Sequence, residues 1–399
     1  MSGNVKKEFL DLGRHPIANA FLKNKSDFDD EFIFDLKVCW DEESKLVSIK
    51  NFVEPERIFN EDYPYNTSNS FPMIKHFFDT AEMLSKRFEP KKVLEIGSNS
   101  GPFIENFNKL DSVCVEPCDN FAKVTGDMGY KTYTEFWTTE LSKKIKDNDG
   151  EMDLIYAANC ICHIHDLDDT FKAVANLLSD DGVFVFEDPS LLSILQRGSY
   201  DQIYDEHPHI FSVTALDNIL KRNGLIIFDV DNLSVHGGSN RIYAKKPNIP
   251  SANTISDSVI QNLRKEDDFG INNFETYEAF AKKVQFSKEE LLRCLTNLRH
   301  NGKKIMCIGA TAKSTTVFNY CGIGTDLIDV ITDTTIDKQN TFAPGSHIPV
   351  ASPEDIDMLD YDYAYLGAWN FKEVIMKNQK KFIANGGKFI SHIPKVDTF

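Results

Sequence analysis

The run Val93-Leu94-Glu95-Ile96-Gly97-Ser98-Asn99-Ser100-Gly101 constrains the fold of this chain more than any other segment. A short β-type stretch enters a glycine turn that opens a helix, and glycine there admits positive φ and lets a ligand approach the backbone closely. Further β-type runs follow at Ser112 to Val115, Met152 to Ala157, Gly182 to Phe186 and Gly224 to Val230, each separated by a longer helical segment. That alternation predicts a parallel, doubly wound α/β sheet. A second strand-turn-helix at Lys304 to Lys313, with β-type runs at Leu327 to Ile331 and Tyr363 to Leu366, predicts a smaller C-terminal α/β domain. The expected organisation is a small cap over residues 1–80, a ligand-binding sheet domain over 81–245, a linker and bridging helix over 246–300, and the second α/β domain over 301–399. The linker is marked by Lys246-Pro247-Asn248-Ile249-Pro250.

The glycine spacing is G-x-x-x-G, not the dinucleotide G-x-G-x-x-G, and the next strand ends in Glu116-Pro117. A carboxylate at that strand end is placed to take both hydroxyls of a ribose. The pair points to S-adenosylmethionine (SAM) on a class I methyltransferase sheet. An NAD site, a non-binding turn and a merely solvated Glu116 are the alternatives. The third strand ends near Asn159 and His163, at the sheet edge where doubly wound folds bind ligands. Five of the ten histidines fall between His163 and His236, and His207 closes the polar run Tyr204-Asp205-Glu206-His207. Such a run is costly in a core unless each group finds a partner, so it reads as a functional cluster or a surface loop. His236-Gly237-Gly238-Ser239-Asn240-Arg241 reads equally as a hairpin turn or as a site where Arg241 meets an anion. Thr311 and Lys313, at a helix start, suit a phosphate but lack the spacing of a nucleotide-hydrolysing loop, and Pro344 to Pro349, with His347, reads as a rigid loop that would close on the same ligand.

Composition narrows the function classes. The chain has 399 residues with 61 acidic against 44 basic side chains, a net charge of −17 that disfavours nucleic acid and anionic membranes as partners. No segment approaches the roughly 18 apolar residues of a membrane helix, and Met1 to Gly13 lacks a secretory apolar core, so a cytoplasmic protein is expected. The eight cysteines are scattered, with no pair of pairs at zinc spacing, and are expected to be reduced, buried thiols. The sequence leaves the oligomeric state open, a monomer being compatible with it.

Taken in order, these motifs resemble the sugar C-methyltransferase family, which methylates nucleotide-linked 4-keto-deoxysugars. The resemblance runs from Leu12-Gly13-Arg14-His15-Pro16-Ile17-Ala18-Asn19 through Tyr63-Pro64-Tyr65, Glu95 to Asn99, Glu116-Pro117, Ile203 to His207 and His236 to Ser239. It ends with Gly309 to Lys313, Pro344 to Pro349 and Ala368-Trp369-Asn370-Phe371. It implies a zinc-bearing N-terminal cap, a central SAM domain and a C-terminal domain that helps hold the nucleotide sugar. It implies that Gly97, Asn99, Glu116 and Asn159 serve SAM, and Gly101 and Tyr63 are expected beside them. Tyr63, Tyr65, His163, Tyr204, Glu206 and His207 would surround the ketosugar, with His207 as general base. Expected substrate contacts are Tyr65, His236, Arg241, Thr311, Lys313 and His347. Two departures stand out: the cap has Cys39 alone where the family has two cysteine pairs, so no zinc is expected, and Asp205 replaces the family's histidine.

Chemically, methylating carbon requires a proton to be removed beside a carbonyl. A histidine suits that task, and a neighbouring carboxylate is expected to hold its ring and raise its basicity. His207 is the expected base, Tyr204 or His163 the expected enolate stabiliser, and Glu206 the adjacent acid. The rivals are methylation of oxygen or nitrogen on a sugar or small metabolite, an NAD-dependent sugar oxidoreductase or epimerase, and a non-catalytic sugar-nucleotide binding protein.

Overall fold

The computed structural model describes residues 6–247 and 255–399, so Asn248-Ile249-Pro250 of the expected linker lie outside the described residues. The central sheet has seven strands: β1 (Val93–Ile96), β2 (Ser112–Val115), β3 (Lys131–Tyr133), β4 (Met152–Ala158), β5 (Leu178–Pro189), β6 (Ile226–Leu233) and β7 (Ser239–Lys245). Their spatial order is β3-β2-β1-β4-β5-β7-β6. The strands from β3 to β5 pair in parallel, whereas β7 inserts antiparallel to both β5 and β6. Every residue of β1 and β2 is buried, as expected where helices cover both faces of a parallel sheet. On one face, Met73, Phe77, Ala81 and Leu84 of helix α1 (Phe71–Phe88) pack on Tyr156 and Val185. Their spacing sets the apolar stripe of α1 against the sheet. The other face buries Phe171, Val174, Leu216 and Ile219 on Ile155, Phe184 and Phe186.

The order reverses beside β1, and there the carboxyl ends of the strands open a crevice. The expected run at Gly224 to Val230 is realised as β6. The hairpin-turn reading of His236-Gly237-Gly238 is met: a 3₁₀ turn at Val235–Gly237 joins β6 to its antiparallel neighbour β7, and Ser239 onward is strand.

The N-terminal cap is an antiparallel sheet of Lys6–Pro16, Ile33–Asp41 and Val47–Ile49, and its fourth strand, His209–Ile210, comes from the central domain. That strand begins two residues after His207, so the cap is stitched to the polar cluster. Beyond residue 255 the bridging segment is two helices, α2 (Asp257–Phe269) and α3 (Phe274–His300), divided at Gly270, whose φ of 91° ends α2. The C-terminal domain is a seven-stranded sheet with Ile305–Ile308 between Ile331–Thr332 and Tyr363–Leu366. The expected strand at Leu327 to Ile331 is shorter and shifted, because Leu327 and Ile328 donate to the Gly324 carbonyl in a turn. Helix α4 (Ala312–Cys321) follows the strand Ile305–Ile308.

One apolar core joins the outer parts: Leu36, Val38 and Trp40 of the cap meet Tyr277, Phe280 and Val284 of α3 and Ile305, Val317 and Phe318 of the C-terminal domain. Each such fully buried side chain contributes about 1.5–3 kcal/mol. Leu22 also exchanges two backbone hydrogen bonds with Phe342, at 2.8 and 3.0 Å, tying the cap to the C-terminal sheet. Among the described residues no helix is long and apolar enough to cross a membrane.

Candidate active site

The carboxyl edge of the central sheet opens into one cavity of about 560 Å³ that reaches from the glycine turn to Lys313 and Lys338 of the C-terminal domain. Its first half lies around β1 and β2. Gly97 has φ 68°, and a Cβ there would come within 2.9 Å of Cys160, so the turn requires glycine on two counts. Asn99, at φ 46°, donates its backbone N–H to Glu116 at 2.7 Å, while Cys118 N–H donates to the other carboxylate oxygen at 2.9 Å. Burial raises the Glu116 pKa, opposed by those two amides. The Asn99 side chain donates to the Tyr65 carbonyl and accepts from Thr67 N–H, so it fastens the aromatic segment over the turn. Gly97, Ser98, Asn99, Glu116 and Asn159 all line the cavity. A glycine turn with no room for a side chain beside a buried strand-end carboxylate fits an adenosyl cofactor. Gly101 does not line the cavity; its φ of 83° and a Cβ distance of 3.1 Å from Thr125 make it a packing glycine, which corrects its expected cofactor contact.

The second half is built by the loop after β5. His207 Nδ1 donates to the Gln202 carbonyl at 2.7 Å, which leaves Nε2 to accept from the Tyr204 hydroxyl at 3.0 Å. Burial, with His163 nearby, holds the His207 pKa well below the ordinary histidine value, so the ring is neutral with a lone pair on Nε2. His163 stacks on it at 5.2 Å between ring centroids, and burial lowers its pKa to about 3. Nε2 of His163 and Nε2 of His236 are buried without partners, and both rings line the cavity.

The carboxylate expected to hold the His207 ring does not do so. Glu206 instead accepts from Asn19 of the cap and from the Tyr63 hydroxyl at 2.9 Å, and a main-chain carbonyl orients the histidine. Tyr63, expected among the cofactor contacts, is thus bonded to the acidic cluster. Asp205 faces the cap: it accepts the Ala18 N–H at 2.9 Å, and the Ala18 carbonyl in turn accepts from Thr315 of the C-terminal domain. Burial, then the neighbouring Glu206, raises the Asp205 pKa well above the carboxylate range. Asp205 therefore belongs to a junction of all three parts of the chain and makes no hydrogen bond to His207.

Of the expected substrate contacts, Tyr65, His236, Thr311 and Lys313 line the cavity. Thr311 caps α4, its hydroxyl accepting Ser314 N–H at 3.0 Å and donating to the Gly367 carbonyl. Arg241 is corrected: it is 7% exposed, donates to Glu187 at 2.8 Å and Thr80 at 2.7 Å, and does not line the cavity. His347 is corrected too; it pairs with Glu31 and stacks on Phe28, clamping the cap to the C-terminal domain outside the cavity.

Family models match successive stretches of the chain. A methyltransferase domain model matches residues 75–229 and a C-methyltransferase C-terminal domain model matches residues 234–394. The C-methyltransferase NovU of Streptomyces niveus is 31% identical over 97% of this chain and 93% of its own length. The chain belongs to the C-methyltransferase family. It is a SAM-dependent methyltransferase with the α/β fold of class I enzymes. A SAM-dependent methyltransferase from Clostridium acetobutylicum aligns at 15% identity and TM-score 0.34 over 43% of this chain and 92% of its own. The CcbJ methyltransferase from Streptomyces caelestis aligns at 11% identity and TM-score 0.33, over 43% and 89%.

A third family model, for a zinc-binding domain, matches residues 2–59 of this C-methyltransferase. Cys39 is the one cysteine in that span. It is a buried free thiol, and among the described residues no cluster of metal donors forms around it. The donor set for a tetrahedral zinc is missing, so the residues present do not fit that ion. Two cavity residues escaped sequence reasoning in this family member. Asn19 lies within the family-like run at the N-terminus, which was the available signal, whereas Lys338, 7% exposed and donating to the Ala310 carbonyl at 2.8 Å, has no local motif.

Proposed function

We propose that this enzyme methylates a carbon next to the carbonyl of a nucleotide-linked 4-ketosugar, with His207 as the base. The observation that carries this reading is the fixed tautomer of His207: Nδ1–H is held by the Gln202 carbonyl, and Nε2 presents its lone pair in the same cavity as the glycine turn. Bound SAM supplies an electrophilic methyl group. Gly97, Ser98, Asn99, Glu116 and Asn159 would hold it, with Glu116 at the ribose. His207 Nε2 removes the proton from the carbon beside the ketone, and the Tyr204 hydroxyl, released from Nε2, donates to the enolate oxygen. A hydrogen-bond donor placed on a developing oxyanion in a closed cavity is worth several kcal/mol. His163 stacks on the base and limits its motion. Glu206, anchored by Asn19 and Tyr63, closes the cavity against the cap.

Lys313 supports the phosphorylated part of the substrate. Among the described residues no hydrogen bond or ion pair engages its ammonium, although it is directed to the cavity, and burial lowers its pKa. Such a cation is stabilised by an anionic ligand. This reading has the enzyme working without a zinc ion in its cap, in the cytoplasm, on a small molecule rather than on nucleic acid.

The test is incubation with SAM and a panel of nucleotide-linked 4-ketosugars, locating the new methyl group by NMR. A methyl on the carbon beside the ketone is expected; a methyl on oxygen or nitrogen would overturn the proposal.

A further inference from the structure

One group of side chains at the floor of the cavity has a chemistry that methyl transfer does not use. Cys162, His163 and His207 place a thiol sulfur and one nitrogen from each ring all within 4.8 Å of one another. Cys162 is a buried free thiol that does not itself line the cavity. His163 Nε2 is fully buried and makes no hydrogen bond. Next to the thiol sits Asp188, 3% exposed, whose carboxylate faces the Cys162 thiol and backbone N–H. A buried nitrogen without a partner is costly in a protein interior. A cation held by the three donors relieves that cost.

The donor set selects the ion. One thiolate and two imidazoles suit a borderline-soft divalent metal, Zn²⁺ above all, with Co²⁺ as its spectroscopic substitute, and do not suit Mg²⁺ or Ca²⁺. His207 is already arranged as a ligand: its Nδ1–H is fixed on a main-chain carbonyl, which turns Nε2 toward the metal as the outer hydrogen bonds of zinc histidines do. We propose that Cys162, His163 and His207 form a three-ligand site for Zn²⁺, and that the ion inhibits the enzyme reversibly by occupying the lone pair of the base. On binding, the Cys162 thiol forms its S–Zn bond and gives up its proton to solvent through the cavity. The Tyr204 hydroxyl leaves Nε2, and the fourth metal position faces the cavity. The site itself stands on the geometry of the three donors; the inhibition rests on the reading of His207 as the base.

The experiment uses the full chain. Co²⁺ is titrated in while thiolate-to-cobalt charge-transfer absorption is followed, and Zn²⁺ inhibition of methyl transfer is measured beside it, with chelator added back. Cys162→Ser, nearly isosteric and outside the catalytic groups, is the key variant, with Cys162→Ala as a second in case the first folds poorly. The parent is expected to show the band, and chelator is expected to restore its activity. Cys162→Ser is expected to lose the band, to keep metal-free turnover, and to need about tenfold or more Zn²⁺ for the same inhibition. No band in the parent, or an unchanged band in Cys162→Ser, overturns the site. A band lost in Cys162→Ser, with parent turnover unaffected by Zn²⁺, overturns the inhibition and the base assignment while the metal site stands.

Discussion

The Tyr204 hydroxyl lies 3.0 Å from Nε2 of His207, on the side of the ring opposite the Gln202 carbonyl that fixes Nδ1. The pair is therefore a donor and an acceptor poised on each other until a substrate separates them. His207→Ala is expected to lower turnover by about 10²–10⁴-fold and to leave SAM affinity within a few-fold. Tyr204→Phe removes only the enolate donor, and a loss of about 10²–10³ in kcat is expected. Calorimetry with SAM alone checks that both variants keep the cofactor half intact.

Lys313 offers a separable test, because it touches the acceptor half and not the glycine turn. Lys313→Met keeps the aliphatic stem and removes the charge. The KM for a nucleotide-sugar acceptor is expected to rise about tenfold or more, with the KM for SAM unchanged. Equal effects on both would place the anion elsewhere.

The turn before β7 should tolerate no side chain. Gly237 has φ 88°, and a Cβ there would fall 2.4 Å from the Trp369 ring, whose indole N–H is held by Asp201. Gly237→Ala is expected to destabilise the chain by about 1–3 kcal/mol in urea denaturation, by strain and by displacing Trp369.

Low pH should weaken the fold through buried neutral histidines. His15 is 2% exposed and bonds the Leu12 carbonyl at 3.0 Å. Burial lowers its pKa to about 4. The unfolded chain binds a proton below about pH 6.5, which the folded chain refuses until about pH 4, so this stability is present above 6.5 and lost as pH falls through that window. From pH 7.5 to pH 5 His15 alone should remove about 2 kcal/mol. His15→Gln, which keeps a donor, should flatten the pH dependence by about that amount.

The sequence carries much of this fold and part of its site, for reasons that differ by residue. β1, β2 and β4 are legible because strands buried on both faces are continuous apolar runs, and Gly97 and Glu116 because the backbone and the strand end dictate their types. β7 is not, since its first residues, Ser239-Asn240-Arg241, are polar and read as a turn, yet Arg241 is buried on Glu187, 54 residues earlier. The partner that changes its meaning is distant in sequence. Lys338 and Asn19 are hidden for the same cause: they reach the cavity only because the C-terminal domain and the cap converge on Glu206. The expectation that Glu206 orients His207 failed because adjacency in sequence does not set side-chain direction, and a backbone carbonyl was the nearer acceptor.

The most direct measurement of the central claim is deuterium entry at the acceptor carbon in deuterated water, with the demethylated cofactor product in place of SAM so that no methyl transfer intervenes. The parent enzyme is expected to exchange the proton beside the ketone, and His207→Gln to lose that exchange while binding the substrate normally. Exchange that persists at the parent rate in His207→Gln would contradict the account, since another group would then be taking the proton.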